Sequence, residues 1–563
     1  MAEFGADDLK VHVTTPNIRV VFYNVLDNFE ETDKKSKDFD NGSSYKVMGQ
    51  LGIDSYFAFS PENPNQYFSG ANIQSYSFTN SIDDINGSFS ITVKEDTRPL
   101  PKGQQYFMDQ VKKLDVVEFI ENGSVEFYGI VRTISIGATA GAMNKVITIS
   151  GISAAGLLNM FNISTDVASM AFLQNEGANK KITDRISKLF QQKSKDGVDV
   201  AEVFRIVYLA MFYIAEGKTY NPKTGKWEET NSKAPFASFK TQRIFRFIFG
   251  VAHDDVKQAD GTITYDTVRF SKPVEFLDCN EKFQFQLTSN LFNQNEVNIV
   301  SYFKGFMPPP IYEMFHTFDE NNSPKIVLRE VPFLPTEWAN LPIKEIDPSL
   351  ITDYTLSNTD TNIFTTFYAY AAGAPGNSDL FKNAGARDKN GNPIMKVDGD
   401  LVDVYGFIPL DVNFIGWKPR DIKDDSVMAV AGNLSEKVKK YFKNLKDFWN
   451  GDVTFVNMLE NNEKVVTVYD EKGFANKSKK KISKNPRIGA RAKLCGLEFY
   501  ITSATHTWRY GEPCKINLHL ERGGKYYEDG TFIEPKYETN GNKVVNLNPS
   551  SLSRTWAELL VKE

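Results

Sequence analysis

Four residues near the C-terminal end carry metal-ligand or nucleophile chemistry at close spacing: Cys495, His506, Cys514 and His519. Zinc needs thiolates and imidazoles placed tetrahedrally, and the spacing here fits no zinc signature. The structural alternative is that His506 hydrogen-bonds within a sheet while Trp508 packs beside it. Asp388-Lys389-Asn390-Gly391-Asn392-Pro393 begins like a calcium loop. It lacks the sixth-position glycine and the closing glutamate, so it reads as a turn. Gly217-Lys218-Thr219 ends like a phosphate-binding loop, but Phe212 stands where the first glycine belongs, which leaves a helix C-cap and loop. Gly151-Ile152-Ser153-Ala154-Ala155 lacks the second glycine of a nucleophile elbow, so Ser153 reads as a helix cap. There is no His-Glu-x-x-His motif. The basic run Lys477-Ser478-Lys479-Lys480-Lys481 reads as a solvated loop, with contact to DNA or an acidic partner as its functional alternative. Glycoside hydrolysis needs two placed carboxyl groups, and placement is not legible here. The sequence therefore names no catalytic residue, no cofactor-binding residue and no metal ligand.

The elements that would position these residues are mostly strands. Gly496 to Trp508 and Lys515 to Gly523 alternate apolar and polar residues, with Tyr510-Gly511-Glu512-Pro513 between them as a turn, so they form a closing hairpin. Leu518→Glu is expected to abolish folding; Lys480→Ala, in an exposed loop, is not. Val116 to Ile120 and Val125 to Val131 flank Asn122-Gly123, the strongest short hairpin signal. Phe89 to Val93 and Lys145 to Gly151 are further strands. From Ser153 to Gly250 the apolar spacing turns helical, including Ile182 to Phe190 and the greasy run Phe204 to Ala215. Val268 to Leu287 reads as extended. A strand pair follows Pro308-Pro309-Pro310, with Asp319 to Pro324 as its turn and Lys325 to Arg329 as its second arm. Ile394 to Phe407 reads as extended or loop, and Ser435 to Phe448 as a basic surface helix. A weak repeat pairs Glu126-Phe127-Tyr128 with Glu498-Phe499-Tyr500, and Lys145 to Ile149 with Lys515 to His519. Duplication and chance likeness between strands both stay open.

Composition bounds the class. At 563 residues, with 41% hydrophobic and 24% charged residues, the chain is an ordinary folded protein of several domains. Its 43 Phe and 24 Tyr favour half-buried pleated surfaces. A net charge of −6 gives no footprint for specific nucleic-acid binding. Three cysteines make no disulfide framework and suit a reducing cytoplasm. The first residues show no signal peptide, and the run from Phe204 is too short to span a bilayer, which takes about 20 apolar residues.

Three separated stretches then match one family in order. Val117 to Gly129 is similar to its strand–turn–strand. Pro309-Pro310-Ile311-Tyr312-Glu313-Met314-Phe315 with Leu328-Arg329-Glu330-Val331-Pro332-Phe333 is similar to its second signature, and Ser357 to Asn362 to the polar turn that follows it. The closing hairpin, from Tyr500 through His506 and Trp508 to Arg522-Gly523, is the third. The chain resembles phage tail hub proteins, both the hub of contractile-tail phages and the N-terminal part of type VI secretion spike proteins. Phe190 to Gly250 and the tail after Gly524 have no counterpart in it.

The resemblance implies a mainly β protein with α insertions, built as tandem antiparallel β-barrels with a helical region between them. The expected domains are 1–152 (first barrel), 153–290 (helical insertion), 291–425 and 426–524 (second barrel in two parts) and 525–563 (extension). It implies a homotrimer, with the tail tube protein, a spike or tip protein and the tape measure protein as partners. DNA would pass the lumen without sequence-specific binding. It places the chain in the virion, at the tail tip or baseplate, after assembly in the host cytoplasm, without enzyme activity and without a cofactor. A tail-associated peptidoglycan hydrolase and a β-rich receptor- or carbohydrate-binding protein are the alternatives.

Overall fold

The computed structural model describes residues 17–25, 53–59, 72–96, 106–138, 144–160, 309–319, 324–359, 363–371, 390–414, 425–457, 462–469, 475–494 and 496–534, with short pieces between 162 and 304 and a few single residues. Strands dominate, and thirteen of them form one continuous sheet. Its first half holds β1 (Ile18–Val25), β2 (Ile53–Phe59), β3 (Asn72–Ser81), β4 (Ser88–Asp96), β5 (Val116–Glu121), β6 (Ser124–Ala138) and β7 (Asn144–Ser153). After the hairpin β8 (Tyr312–Phe318) and β9 (Pro324–Glu330), the second half adds β10 (Ile343–Glu345) and β11 (Ile351–Ser357). A side sheet carries β12 (Thr366–Ala371) and β13 (Pro409–Phe414). The main sheet resumes with β14 (Trp449–Val456) and, beyond the hairpin β15 (Asn462–Tyr469) and β16 (Ala475–Ile482), closes with β17 (Arg491–Leu494), β18 (Leu497–Arg509) and β19 (Lys515–Gly524).

The path runs β11-β14-β19-β18-β3-β4-β7-β6-β5-β1-β2, with β17 on β18 and β10 on β17. It ends at two edges, and no ring of strands closes among the described residues. Mainly β structure is as expected from the sequence; the barrels are not visible as closed objects.

The path contains one pattern twice. In chain order β3, β4, β5, β6 and β7 lie side by side as β3-β4-β7-β6-β5, all antiparallel. In chain order β11, β14, β17, β18 and β19 lie as β11-β14-β19-β18-β17, again all antiparallel. Two irregularities recur at matching points. The register skips Gln74 between the first and second strands of one unit, and Thr352 in the other. It skips Arg132 between the fourth and fifth strands of one, and Thr502 in the other. A bulge adds one unpaired residue and fixes local twist, so shared bulges mark a shared backbone. On this register Ile130 corresponds to Tyr500, and Gly151 to Leu520. The repeat is therefore structural, while the letters that suggested it sit out of register with it.

Each unit has its own core. Phe78, Phe89, Ile91, Phe119, Phe127, Ile147 and Ile149 fill the first. Val453, Phe455, Phe499, Ile501, Ile516, Leu518 and Leu520 fill the second. Asn122 and Gly123 take φ of 52° and 79°, the left-handed pair that a two-residue hairpin turn requires.

Several expectations change. Ile394 to Phe407 holds a helix, α1 (Gly399–Tyr405), with Asp398 capping the Leu401 N–H and Gly406 ending it at φ 74°. The basic surface helix starts earlier, as α2 (Asp425–Phe442). It buries Ala431, Leu434, Val438 and Tyr441 and packs on β12. Lys477 to Lys481 belongs to β16 and is paired with β15, so it is a strand and not a loop. Lys480 is half-buried there, and burial pulls its ammonium below the usual range against Asp319 and Glu118. Lys218–Asn221 is a strand paired with Lys226–Glu229, where a helix cap was expected. Ser153 does cap, over a short 3-10 helix from Ala154 to Met160: its hydroxyl accepts the Gly156 N–H at 3.3 Å and donates to the Ile85 carbonyl at 2.9 Å. Ile182 to Phe190, Phe204 to Ala215 and the tail beyond Glu534 lie outside the described residues.

Leu518 is fully buried in the second core. Leu518→Ala is expected to cost about 2–5 kcal/mol in equilibrium urea denaturation. Lys479, with a side chain 77% exposed, replaces Lys480 as the neutral control, and Lys479→Ala should stay within about 0.5 kcal/mol.

Candidate functional site

The C-terminal residues singled out for metal chemistry separate. His506 faces inward and is buried. His519 lies on the other face of the hairpin, its Nδ1 3.0 Å from Asp452. Cys495 lies outside the described residues. Among the described residues no three His, Cys, Asp or Glu side chains gather as metal ligands. Asp388 accepts the Asn390 and Asn392 N–H groups at 2.9 and 2.8 Å, as a turn would.

What His506 and Cys514 do share is Glu121, at the end of β5. The Glu121 carboxylate accepts from Tyr76 Oη at 2.8 Å, Cys514 Sγ at 3.2 Å, Asn457 Nδ2 at 2.7 Å and His506 Nδ1 at 2.9 Å. The carboxylate and its Tyr76, His506, Cys514 and Asn457 partners are all buried. Burial alone would raise the Glu121 carboxyl; His506 and the donors outweigh it and hold it below the ordinary glutamate range. The same burial, with Glu121 alongside, pushes the Cys514 thiol and the Tyr76 phenol well up. Cys514 is thus a protonated hydrogen-bond donor and not a nucleophilic thiolate. His506 stacks on Phe78 at 4.5 Å, and Trp508 on Tyr76 at 5.7 Å.

The position of this cluster gives it meaning. Tyr76 and Glu121 belong to the first unit; His506, Cys514 and Asn457 belong to the second. They meet along β3 and β18, whose register runs from Ser75↔Arg509 to Ser81↔Ser503. The seam between the units is closed on one face by this buried polar cluster, and on the other by the Thr79–Thr505 hydroxyl pair at 2.9 Å.

A second cluster joins the residues that carried the family resemblance. Glu313 and Arg329 are cross-strand partners on β8 and β9 and form a buried ion pair. Tyr500 donates to both Glu313 oxygens, at 2.7 and 2.8 Å. Arg329 donates to the Gly489 carbonyl at 2.7 Å and to Tyr500 Oη at 2.9 Å. Burial opposes charge on Arg329, but Tyr500 and Glu313 prevail and keep the guanidinium charged. A third cluster runs from Glu126, the unpaired bulge residue of β6, to Arg487 at 2.6 Å. Arg487 also donates to Asn322 Oδ1 at 2.9 Å, and Asn322 to the Val125 carbonyl at 3.1 Å. Arg522 is buried between the Phe333 and Phe448 rings, at 4.0 and 4.5 Å, and burial draws its guanidinium down to about 10.

The sequence left Glu121, Glu126 and Arg487 unnoticed. The usable signal was two glutamates, Glu118 and Glu121, in a strand otherwise apolar. A carboxylate there is expensive unless several donors meet it. Glu118 finds Tyr23 and Tyr128, at 2.7 and 2.9 Å. Among the described residues, Glu118, Glu121 and Glu313 meet directed donors, and Glu126 meets the Arg487 guanidinium. Their chemistry is that of joints.

No family model and no curated protein sequence matches the chain. Among solved structures, the tail protein from Neisseria meningitidis MC58 is similar at a TM-score of 0.38 and 9% identity, covering 82% of this chain and 99% of that one. The 43 kDa tail protein of prophage MuSo2 from Shewanella oneidensis is similar at 0.38 and 11% identity, over 85% and 97%. An E. coli component of the type VI secretion system is similar at 0.31 and 7% identity, over 83% and 76%. Likeness at this level assigns no function, which has to rest on the chain's own residues.

Two substitutions separate the buried carboxylates by pH. Glu121 has a lowered folded-state pKa, so its stabilisation is full above the unfolded value and lost as pH falls through the folded one. The deficit of Glu121→Gln against the parent chain should be largest near neutrality and shrink on acidification below the ordinary glutamate value of 4.5. Asp115 is raised from 3.8 to about 6, burial outweighing its bonds from Lys112, Val25 and Asn24. The folded chain binds the extra proton between those values, so the parent loses stability relative to Asp115→Asn as pH rises through that window. Urea midpoints from pH 3 to 8 check both signs.

Proposed function

We propose that this chain is a structural tail hub, or baseplate hub, protein of a phage or phage-like particle. Three copies form a ring that adapts a six-fold tail tube to a three-fold spike or tip and lets DNA pass. The observation that carries the reading is the duplicated five-stranded unit, with its two shared bulges, fused edge to edge within one chain. Two like units per chain turn three chains into six like surfaces, which is what a three-fold part needs to meet a six-fold one. The family signatures add to it, because Glu313, Arg329 and Tyr500 come from separate stretches and meet in one buried cluster.

The first barrel of this proposal, domain 1–152, is built on β3 to β7, and the second, 291–524, on β11 and β14 to β19. Residues 153–290 are an insertion and 525–563 an extension. In that role the chain works by holding shape, so we assign it no catalytic residue, cofactor or metal. Its partners are the tube protein, the spike or tip protein and the tape measure protein, and its place is the tail tip of the virion after assembly in the host cytoplasm.

The mass of the purified chain by light scattering should be that of three copies, or become so on adding tip components. Particle images should place it at the junction of tube and tip. A position elsewhere in the particle, or lytic activity of the chain in a cell-wall gel, overturns the reading.

A further inference from the structure

The internal seam predicts an external one. Within the chain, the fourth strand of the second unit (β18) pairs through Ser503 to Arg509 with the first strand of the first unit (β3). The equivalent strands are β6 and β11, and each has an open edge. β5 covers β6 only as far as Ile130, so among the described residues the stretch from Thr133 to Ala138 pairs only with β7. Among the described residues β11 pairs only with β14 and ends the sheet path. Open strand edges invite pairing, and a folded protein normally covers or blunts them.

The side chains on these edges repeat the chemistry of the seam. The two shared bulges fix the correspondence: Thr505 and His506 map to Ser135 and Ile136, and Thr79 and Phe78 map to Ser357 and Leu356. At the seam Thr505 meets Thr79 through their hydroxyls, and His506 stacks on Phe78. Across the two edges Ser135 would meet Ser357, again hydroxyl to hydroxyl, and Ile136 would meet Leu356, again ring or chain to apolar chain. Ile136 is 48% exposed, an unusual position for isoleucine on a strand edge unless something covers it.

We infer that copies of this chain join edge to edge, with Thr133–Ala138 of one copy pairing antiparallel with Tyr354–Thr359 of the next. The contact is heterologous: each copy offers one edge and accepts the other. Such contacts close into a ring when the rotation allows, and every junction in that ring, within a chain or between chains, would share one register. The number of copies rests on the ring reading above; the pairing rests on the two edges and the internal seam.

The test is a cysteine pair in the full chain. In Ser135→Cys/Ser357→Cys the paired Cα atoms would lie about 5 Å apart, within disulfide reach. Within one copy the same residues are seven strand spacings apart along the sheet, a path of about 34 Å at ordinary strand spacing. Mild oxidation should give interchain bands on a non-reducing gel, running up to the mass of the closed oligomer. The displaced pair Ser135→Cys/Asp353→Cys, offset by about 13 Å along the strand, should give only the background of the parent's own three cysteines. Light scattering on the same samples reports the oligomer. An oligomer without the cross-link overturns the pairing and leaves the ring reading in place. A chain that stays monomeric and uncross-linked, alone and with tip components, overturns both. A cross-link confined to single chains means the sheet closes on itself, which also overturns the pairing.

Discussion

The Glu121 carboxylate is the constraint on which the two halves of the molecule depend. It lies where the first unit meets the second, and of the donors described above Asn457, His506 and Cys514 come from the far side of that line. A buried carboxylate without partners would cost several kcal/mol. Here that cost becomes a condition on folding: the ion is tolerated only when β3, β5, β18 and the segments at Asn457 and Cys514 all sit in their final places. An apolar seam of similar size would slide. A seam built around one carboxylate with four directed donors has a single register.

The other clusters extend that logic outward. Glu313 and Arg329 tie the β8–β9 hairpin to Tyr500 on the long strand of the second unit. Glu126 and Arg487 tie the same hairpin, through Asn322, to the bulge of β6 in the first. The hairpin is therefore strapped to both units, and the sheet carries polar fastenings on top of its two apolar cores. Burial of apolar area makes each unit stable; the polar contacts decide how the units are oriented.

The strand content and the closing hairpin were legible in the sequence because alternation is a local signal. So was the Asn122-Gly123 turn, since few residue pairs accept that backbone. The helix from Gly399 was missed although Asp398 and Gly406 mark its ends, because its face from Val404 to Phe407 is exposed and gives no apolar period. The strand from Ala475 was missed because four lysines and a serine mimic a loop; its pairing with Asn462–Tyr469 decides its form, and pairing is not local. The duplication was glimpsed through the wrong letters. Backbone geometry, carried by two bulges, kept the likeness while side chains on both faces changed. Glu121 shows the same limit from the other side: its four partners lie between 45 and 393 positions away in the chain, and no window of sequence brings them together.

One strand, β18, serves both units. Its first half pairs with β17 inside the second unit, its second half with β3 across the seam, and the covalent backbone runs unbroken between the two. A load that tries to swing one unit against the other is therefore carried along a single main chain in tension, shared with a ladder of bonds that must yield together. The two units therefore meet without a hinge in that strand, and a rotation of one against the other has to break the ladder as a whole.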